Sequence, residues 1–252
     1  MEYRVYDDGE IMKNLVFQVS IPKYNKEEYI TKGFVKKKNF TYVQHLYDFS
    51  NQRAKEYADK VGADYICLKE FWSELGHWYA PCYHKLYVYE LFEKYDKIFY
   101  LDSDAVVTKH CPDIFKYDKF SSVRDWPYTE KGDKKQKRKN VVHEIEGDHE
   151  YFCSCVLLLD KRFYNSTKDY WKMELDKWKM IRKQGVQHDQ AIFNILVAKH
   201  YGDYNVLDGH WGAWWKSNPK FVVHYANVSP KLNFTVEKFL EQEDRGKVPE
   251  GI

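Results

Sequence analysis

Asp102-Ser103-Asp104 stands directly after the apolar run Lys97-Ile98-Phe99-Tyr100-Leu101. Two carboxylates two residues apart at a strand end reach one side of a tight turn, and together they make a hard, oxygen-rich seat for Mg2+ or Mn2+ bridging two phosphates. The same pair can serve merely to cap the next turn, and a bare D-x-D is common; the apolar strand before it is what gives it weight. Asp189 and Gln190 open HDQAIFNIL (188–196) after Gly185, where an Asp is an excellent helix cap. Asp125, in VRDW after a strand, is a weaker candidate for contact with a sugar hydroxyl. Trp126, Trp211, Trp214 and Trp215 lie in RDWPY and GHWGAWWK, and aromatics rimmed by polar groups suit stacking on sugar rings, unless they simply pack under loops.

These groups need a scaffold, and the hydrophobic pattern supplies one. LVFQVSI (15–21) reads as a buried strand. Over 43–61 the residues Val43, Leu46, Tyr47, Ser50, Ala54, Tyr57, Ala58 and Val61 share one helical face, stopped by Gly62. ADYICL (63–68) is a second strand, 80–95 suits a helix opened at Pro81, and KIFYLD (97–102) is a third strand. A β-α-β-α-β alternation predicts a parallel sheet covered by helices, with ligand chemistry at the carboxyl ends of the strands, where Ser20, Glu70 and Asp102 fall. The second half is less regular. Strands are expected at 120–123, 151–160 and 221–225 and helices at 167–183 and 189–200, which makes the sheet mixed.

Composition narrows the function. With 44% hydrophobic and 31% charged residues over 252 positions, the chain is a folded globular protein. Lys+Arg 40 against Asp+Glu 38 leaves +2, which offers no general attraction for nucleic acid or anionic membrane. Five cysteines without a C-x-x-C pair argue against a disulfide framework or a zinc ribbon and for reduced thiols. No basic-then-apolar leader opens the sequence, and no apolar run reaches the roughly 18 residues that span a bilayer, so a soluble, cytoplasmic protein is expected. The four N-x-[ST] tripeptides, at Asn39, Asn165, Asn227 and Asn233, then have no bearing. KGDKKQKRK (131–139) has no large apolar residue and is expected to be a solvated loop. No repeat or linker divides the chain.

In sequence, KIFYLDSDAVVTKHCPDIF resembles the DxD segment of GT-A glycosyltransferases of family eight, the glycogenin and lipopolysaccharide galactosyltransferase type. Further segments match in order: YHKLYVYELFEKY (83–95), YFCSCVLLLD (151–160), HDQAIFNIL and FVVHYANVSPK (221–231), so that the likeness spans about 15–232. It departs in three places. Cys153 and Cys155 replace the Asn and Gly of the family's F-N-x-G strand, the K-P-W after Lys231 is missing, and SIPKYN (20–25) replaces an Asp-rich start. The resemblance implies a GT-A fold, an α/β architecture with a Rossmann-like mixed sheet and helices on both faces. It implies one domain over 1–252, with a nucleotide-binding half to about residue 105 and an acceptor and donor-sugar half beyond. It also implies a UDP-sugar donor and a carbohydrate acceptor.

Residue by residue, the resemblance makes Asp102, Asp104 and His224 the metal ligands. It makes Lys85 and Lys231 the cationic partners of the diphosphate, and places Tyr24 against the base, with Ser20, Ser103 and Asp125 lining the donor. Asp189 and Gln190 would touch the donor sugar near the reacting carbon. An imidazole among oxygen ligands tilts the ion toward Mn2+ over Mg2+, although a histidine at a strand end is equally at home as a satisfied core residue. Two other readings compete. Asp102-Ser103-Asp104-Ala105-Val106 also fits the D-x-D-x-[TV] of haloacid-dehalogenase phosphatases, but there it ends the first strand, whereas two strands precede it here. A non-catalytic sugar-binding module built on the aromatics leaves the Asp pair unexplained.

Overall fold

The computed structural model describes residues 12–21, 44–76, 81–125, 151–181, 188–212, 221–225 and 235–244. Its elements run β1 (Asn14–Val19), α1 (Gln44–Val61), β2 (Asp64–Leu68), a 3-10 turn (Pro81–Tyr87) leading into α2 (Val88–Leu91), β3 (Lys97–Asp102), β4 (Ala105–Val107) and β5 (Ser121–Arg124). Then follow β6 (Phe152–Asp160), α3 (Lys161–Thr167), α4 (Trp171–Ile181), α5 (His188–Leu196), β7 (Asn205–Leu207), β8 (Val222–His224) and α6 (Val236–Asp244). The main sheet has six strands in the order β2-β1-β3-β6-β5-β7. β1 is parallel to β2 and β3, β5 is parallel to β7, and β6 alone runs against its neighbours. The expected mixed sheet with helices on both faces is therefore found.

Side-chain alternation explains why its strands are continuous apolar runs: both faces are covered. Leu15, Phe17, Ile98, Tyr100, Leu157 and Leu159 face one core, with Phe163 of α3, Trp171 of α4 and Ile192, Phe193 and Ile195 of α5. Their neighbours Val16, Phe99, Leu101, Val156 and Leu158 face the other, against Ala54, Tyr57 and Ala58 of α1. α1 buries the face its sequence predicts and ends at Gly62, whose φ of 69° lets Ala63 donate back to the Ala58 carbonyl at 2.9 Å.

Three elements differ from expectation. The helix expected over 80–95 is a 3-10 turn through Tyr87 and α-helical only from Val88 to Leu91. Four consecutive residues, Tyr83, His84, Lys85 and Leu86, are buried there, so the segment is enclosed on all sides, unlike a helix with one apolar stripe. The helix expected over 167–183 is found as α4 from Trp171, and it is preceded by an unexpected helix, α3, which Asp160 caps by accepting from the Phe163 N–H at 2.9 Å. The third is a separate two-stranded ribbon, in which β4 pairs antiparallel with β8. None of the helices is long and apolar enough to cross a membrane, among the described residues.

Candidate active site

β3, an interior strand, delivers Asp102 at its carboxyl end. Tyr100, two residues earlier and so on the same face, donates its hydroxyl to Asp102 Oδ1 at 2.6 Å. Ser103 and Asp104 form the turn into β4. The ribbon then does what sequence separation cannot: it pairs Ala105 with His224, and the Tyr225 N–H donates to the Asp104 carbonyl at 2.9 Å. His224 Nε2 consequently stands 3.3 Å from Asp104 Oδ1. One ligand atom from each of Asp102, Asp104 and His224 lies within 4.8 Å of the other two.

The electrostatics of this cluster favour a cation. Burial pushes the Asp102 carboxyl up, with the Asp104 charge beside it adding to the rise, and Lys85 only partly compensates. For Asp104 burial acts the same way but the His224 imidazole outweighs it, and the carboxyl is held below its ordinary value. Burial would lower His224, yet the Asp104 carboxylate overrides it and the imidazole is pushed up to about 9. Two carboxylate oxygens and one imidazole nitrogen, converging at the end of a strand, form a donor set that fits Mn2+ or Mg2+.

Next to this set lies a buried cation. Lys85 is 1% exposed, and its Nζ sits 3.1 Å from Asp102 Oδ1, 2.7 Å from Asp189 Oδ2 and 3.1 Å from both the backbone oxygen and the hydroxyl of Ser154. Ser154, on β6, also donates to Asp189 Oδ2 at 2.9 Å. Burial alone would lower Lys85, but Asp102 and Asp189 hold it well above its usual value. Asp189 is the mirror case: burial raises its carboxyl, while Lys85 and the Ser154 hydroxyl bring it below the ordinary carboxylate range. α5 is locked in this position from two sides. Asn194 accepts from the Phe152 N–H at 3.0 Å and donates to the carbonyls of Phe152 and Gln190, each at 2.9 Å. Gln190 donates to Asp125 Oδ2 at 2.9 Å.

Asp102, Asp104, Lys85, Asp189 and His224 thus form one cluster, flanked by Gln190 and Asp125, from five separate stretches of chain. Asp189 is the second residue of α5, and its carboxylate is engaged by Lys85 and Ser154. Lys85 differs from the expectation of a donor-facing ammonium: its three N–H groups are directed at carboxylates and Ser154 inside the protein. Ser20 directly follows β1, 5% exposed, with its N–H on the Leu68 carbonyl at 2.8 Å. Trp211, for which the sequence allows both stacking on a sugar and packing under a loop, is 1% exposed and packs against Phe99, Tyr117 and Phe221. Tyr24, Lys231, Trp126, Trp214, Trp215 and the basic run 131–139 lie outside the described residues.

Sequence reading missed Tyr100, Ser154 and Asn194. Asn194 had a signal, because it follows Gln190 by four residues and so shares its helix face; Tyr100 precedes Asp102 by two and shares its strand face. Ser154 had none, since a serine between two cysteines announces no partner. A second convergence also emerged: Cys153 and Cys155 place their Sγ atoms 3.1 Å apart, within 4.8 Å of a His224 nitrogen.

Comparison with known proteins agrees with this geometry. Similar architectures include a glycosyltransferase involved in glycosylation of the major capsid of PBCV-1 (TM-score 0.56, 13% identity, covering 93% of this chain and 98% of that one). The galactosyltransferase LgtC in complex with donor and acceptor sugar analogs is matched at a TM-score of 0.56 and 12% identity, over 92% of this chain and 93% of that one. The glycosyltransferase GlyE of Streptococcus pneumoniae TIGR4 is matched at 0.55 and 16%, over 95% of this chain but 65% of GlyE. At these identities the likeness shows the shared GT-A fold. No curated protein sequence matches the chain. The profile of Glycosyl transferase family 8 matches residues 10–230, nearly the whole length. The phosphatase and sugar-binding-module readings therefore give way, and the chain belongs to glycosyl transferase family 8, as a glycosyltransferase of the GT-A fold.

Proposed function

We propose that this glycosyltransferase moves a sugar from a UDP donor to a hydroxyl of a glycan or other acceptor, with Mn2+ or Mg2+ held by Asp102, Asp104 and His224. One observation bears most of the weight. The β4–β8 ribbon brings His224 to an Asp pair more than a hundred positions away, with the three ligand atoms within 4.8 Å of one another. A divalent ion bound there supplies positive charge to the diphosphate that leaves the sugar. The imidazole favours Mn2+.

The remaining roles fall to side chains. Lys85 holds Asp189 below the ordinary carboxylate range, opposes the rise that burial imposes on Asp102, and fixes the directions of both, so it acts as a positioning residue. Asp189, 13% exposed and held by Lys85 and Ser154, stabilises positive character growing on the anomeric carbon or orients the acceptor hydroxyl. Gln190 and Asp125 hold the sugar from the α5 side, and Ser20 and Ser103 border the nucleotide. By their places in the family pattern, Tyr24 stacks on the base and Lys231 meets the diphosphate. On this reading residues to about 105 bind the nucleotide and the rest bind the sugar and the acceptor. Asp104→Ala removes a ligand from a partly exposed turn, so it should abolish turnover and metal-dependent UDP affinity while the fold survives. Calorimetry of UDP with Mn2+ and with EDTA tests this directly: equal affinities in the wild type would overturn the metal-dependent reading.

A further inference from the structure

The cysteines at 153 and 155 occupy the two positions where β6 departs from the family's F-N-x-G strand. Being two residues apart on a strand, they project to the same side, and that side is the one facing His224. Cys155 is 1% exposed and Cys153 half-buried. Thiolate sulfur and imidazole nitrogen are poor partners for Mg2+ but strong ones for Zn2+ and its relatives. We propose that Cys153, Cys155 and His224 form a second, soft-metal site of the zinc type. It shares its imidazole with the carboxylate set, so that an ion held by the thiolates draws His224 away from Asp102 and Asp104.

The geometry is close to what such a site needs. Tetrahedral zinc with Zn–S near 2.3 Å and Zn–N near 2.0 Å separates two sulfurs by roughly 3.8 Å and a sulfur from a nitrogen by roughly 3.5 Å. The two Sγ atoms, 3.1 Å apart, must part by well under an ångström, and the nitrogen, within 4.8 Å of both, must approach by up to about 1.3 Å. Binding releases both thiol protons and, below about pH 9, the second imidazole proton of His224 to solvent, and leaves the fourth tetrahedral position for water. The two sets would then sort ions by hardness around one histidine. If the carboxylate set holds the ion that UDP transfer uses, as proposed above, zinc-type ions become reversible inhibitors.

Co2+ added to the protein reduced with a phosphine should give a thiolate-to-cobalt charge-transfer band that saturates at one equivalent and is displaced by Zn2+. The double variant Cys153→Ser/Cys155→Ser should lose that band, with Zn2+ affinity falling ~100-fold or more; the single variant Cys153→Ser, at the less buried position, gives the same reading if the double variant folds poorly. Paramagnetic resonance of Mn2+ reads the sharing: one equivalent of Zn2+ should weaken Mn2+ binding at least ~10-fold in the wild type and leave it unchanged in the double variant. A band that persists without both cysteines, or Mn2+ binding indifferent to Zn2+, overturns the site. Failure of Mn2+ to bind at all, with the cobalt band intact, would instead strike at the proposed function and leave the thiolate ligands standing.

Discussion

Lys85 carries one charge between two carboxylates, and its near-complete burial makes that balance expensive to disturb. A helix cap could lose its carboxylate at little cost, but Asp189 is engaged differently: it accepts from Lys85 at 2.7 Å and from Ser154 at 2.9 Å. Asp189→Asn therefore leaves the ammonium one anion short, and stability should fall by about 1–3 kcal/mol, Asp102 limiting the loss. Turnover per folded molecule should drop ~100-fold, because the lost charge also serves the transition state. Denaturation combined with active-fraction kinetics separates the two effects; stability lost with turnover retained would make Asp189 solely a partner of Lys85. His224 gives a pH signature in the metal-free protein. Its folded value of about 9 exceeds the ordinary 6.5, so the Asp104 contact stabilises fully below about 6.5 and fades as pH rises through about 9. Unfolding free energies from urea titrations in EDTA should decline across that window, by up to about 3 kcal/mol, and His224→Asn should flatten the profile. With metal present the sign reverses: proton and ion compete for the imidazole, so ion affinity should climb over the same range.

At the level of elements, long and strongly patterned stretches were legible. Six strands and α1 lie within a residue or two of their expected bounds, because two-sided burial writes an uninterrupted apolar run and one-sided burial writes a stripe. The short strands β4 and β7 were not legible. β4, three residues long, reads from sequence as a mere apolar tail to the Asp pair, and nothing local says that it pairs with β8 over a hundred residues away. That pairing places His224 beside Asp104. The ladder is in turn fastened to α1 by Ser50, whose hydroxyl donates to the Ala105 carbonyl at 2.7 Å and accepts from Gln18 at 3.0 Å. Lys85 shows the converse: its position was readable from a resemblance, while its burial depends on a 3-10 geometry that no periodicity announced. α5 offers the test at this scale. Asn194→Ala removes the side-chain amide that pairs with the N–H and C=O of Phe152 and should cost about 1–2 kcal/mol. If α5 delivers Asp189, as its docking implies, kcat should fall with it while Zn2+ and Mn2+ affinities hold; an unchanged kcat would detach α5 from the chemistry.

Across the whole molecule, the candidate site belongs to no single segment. Asp102 and Asp104 come from the β3–β4 turn, His224 from β8, Asp189 from α5 and Lys85 from the 3-10 turn, and each is packed into one of the two cores flanking the sheet. On the proposed function, an ion held by Asp102, Asp104 and His224 would tie the main sheet to the ribbon, and a UDP diphosphate completing its coordination would add contacts that neither ligand makes alone. To the extent that both bind the folded chain in preference to the unfolded one, their stabilisation would follow mass action: a ligand at a hundred times its dissociation constant contributes about 2.7 kcal/mol. For a chain of this length that corresponds to a rise in Tm of roughly 5–10 °C. Mn2+ with UDP should therefore raise Tm by about that much, UDP in EDTA by far less, and CDP or GDP with Mn2+ by less than UDP. Asp104→Asn preserves the volume of the turn residue but removes its charge, so it should abolish the joint shift while leaving the unliganded Tm within a few degrees. A full shift with UDP in EDTA, or one that survives Asp104→Asn, would mean that the nucleotide is held without the ion, and the convergence of β3, β4 and β8 would need another purpose.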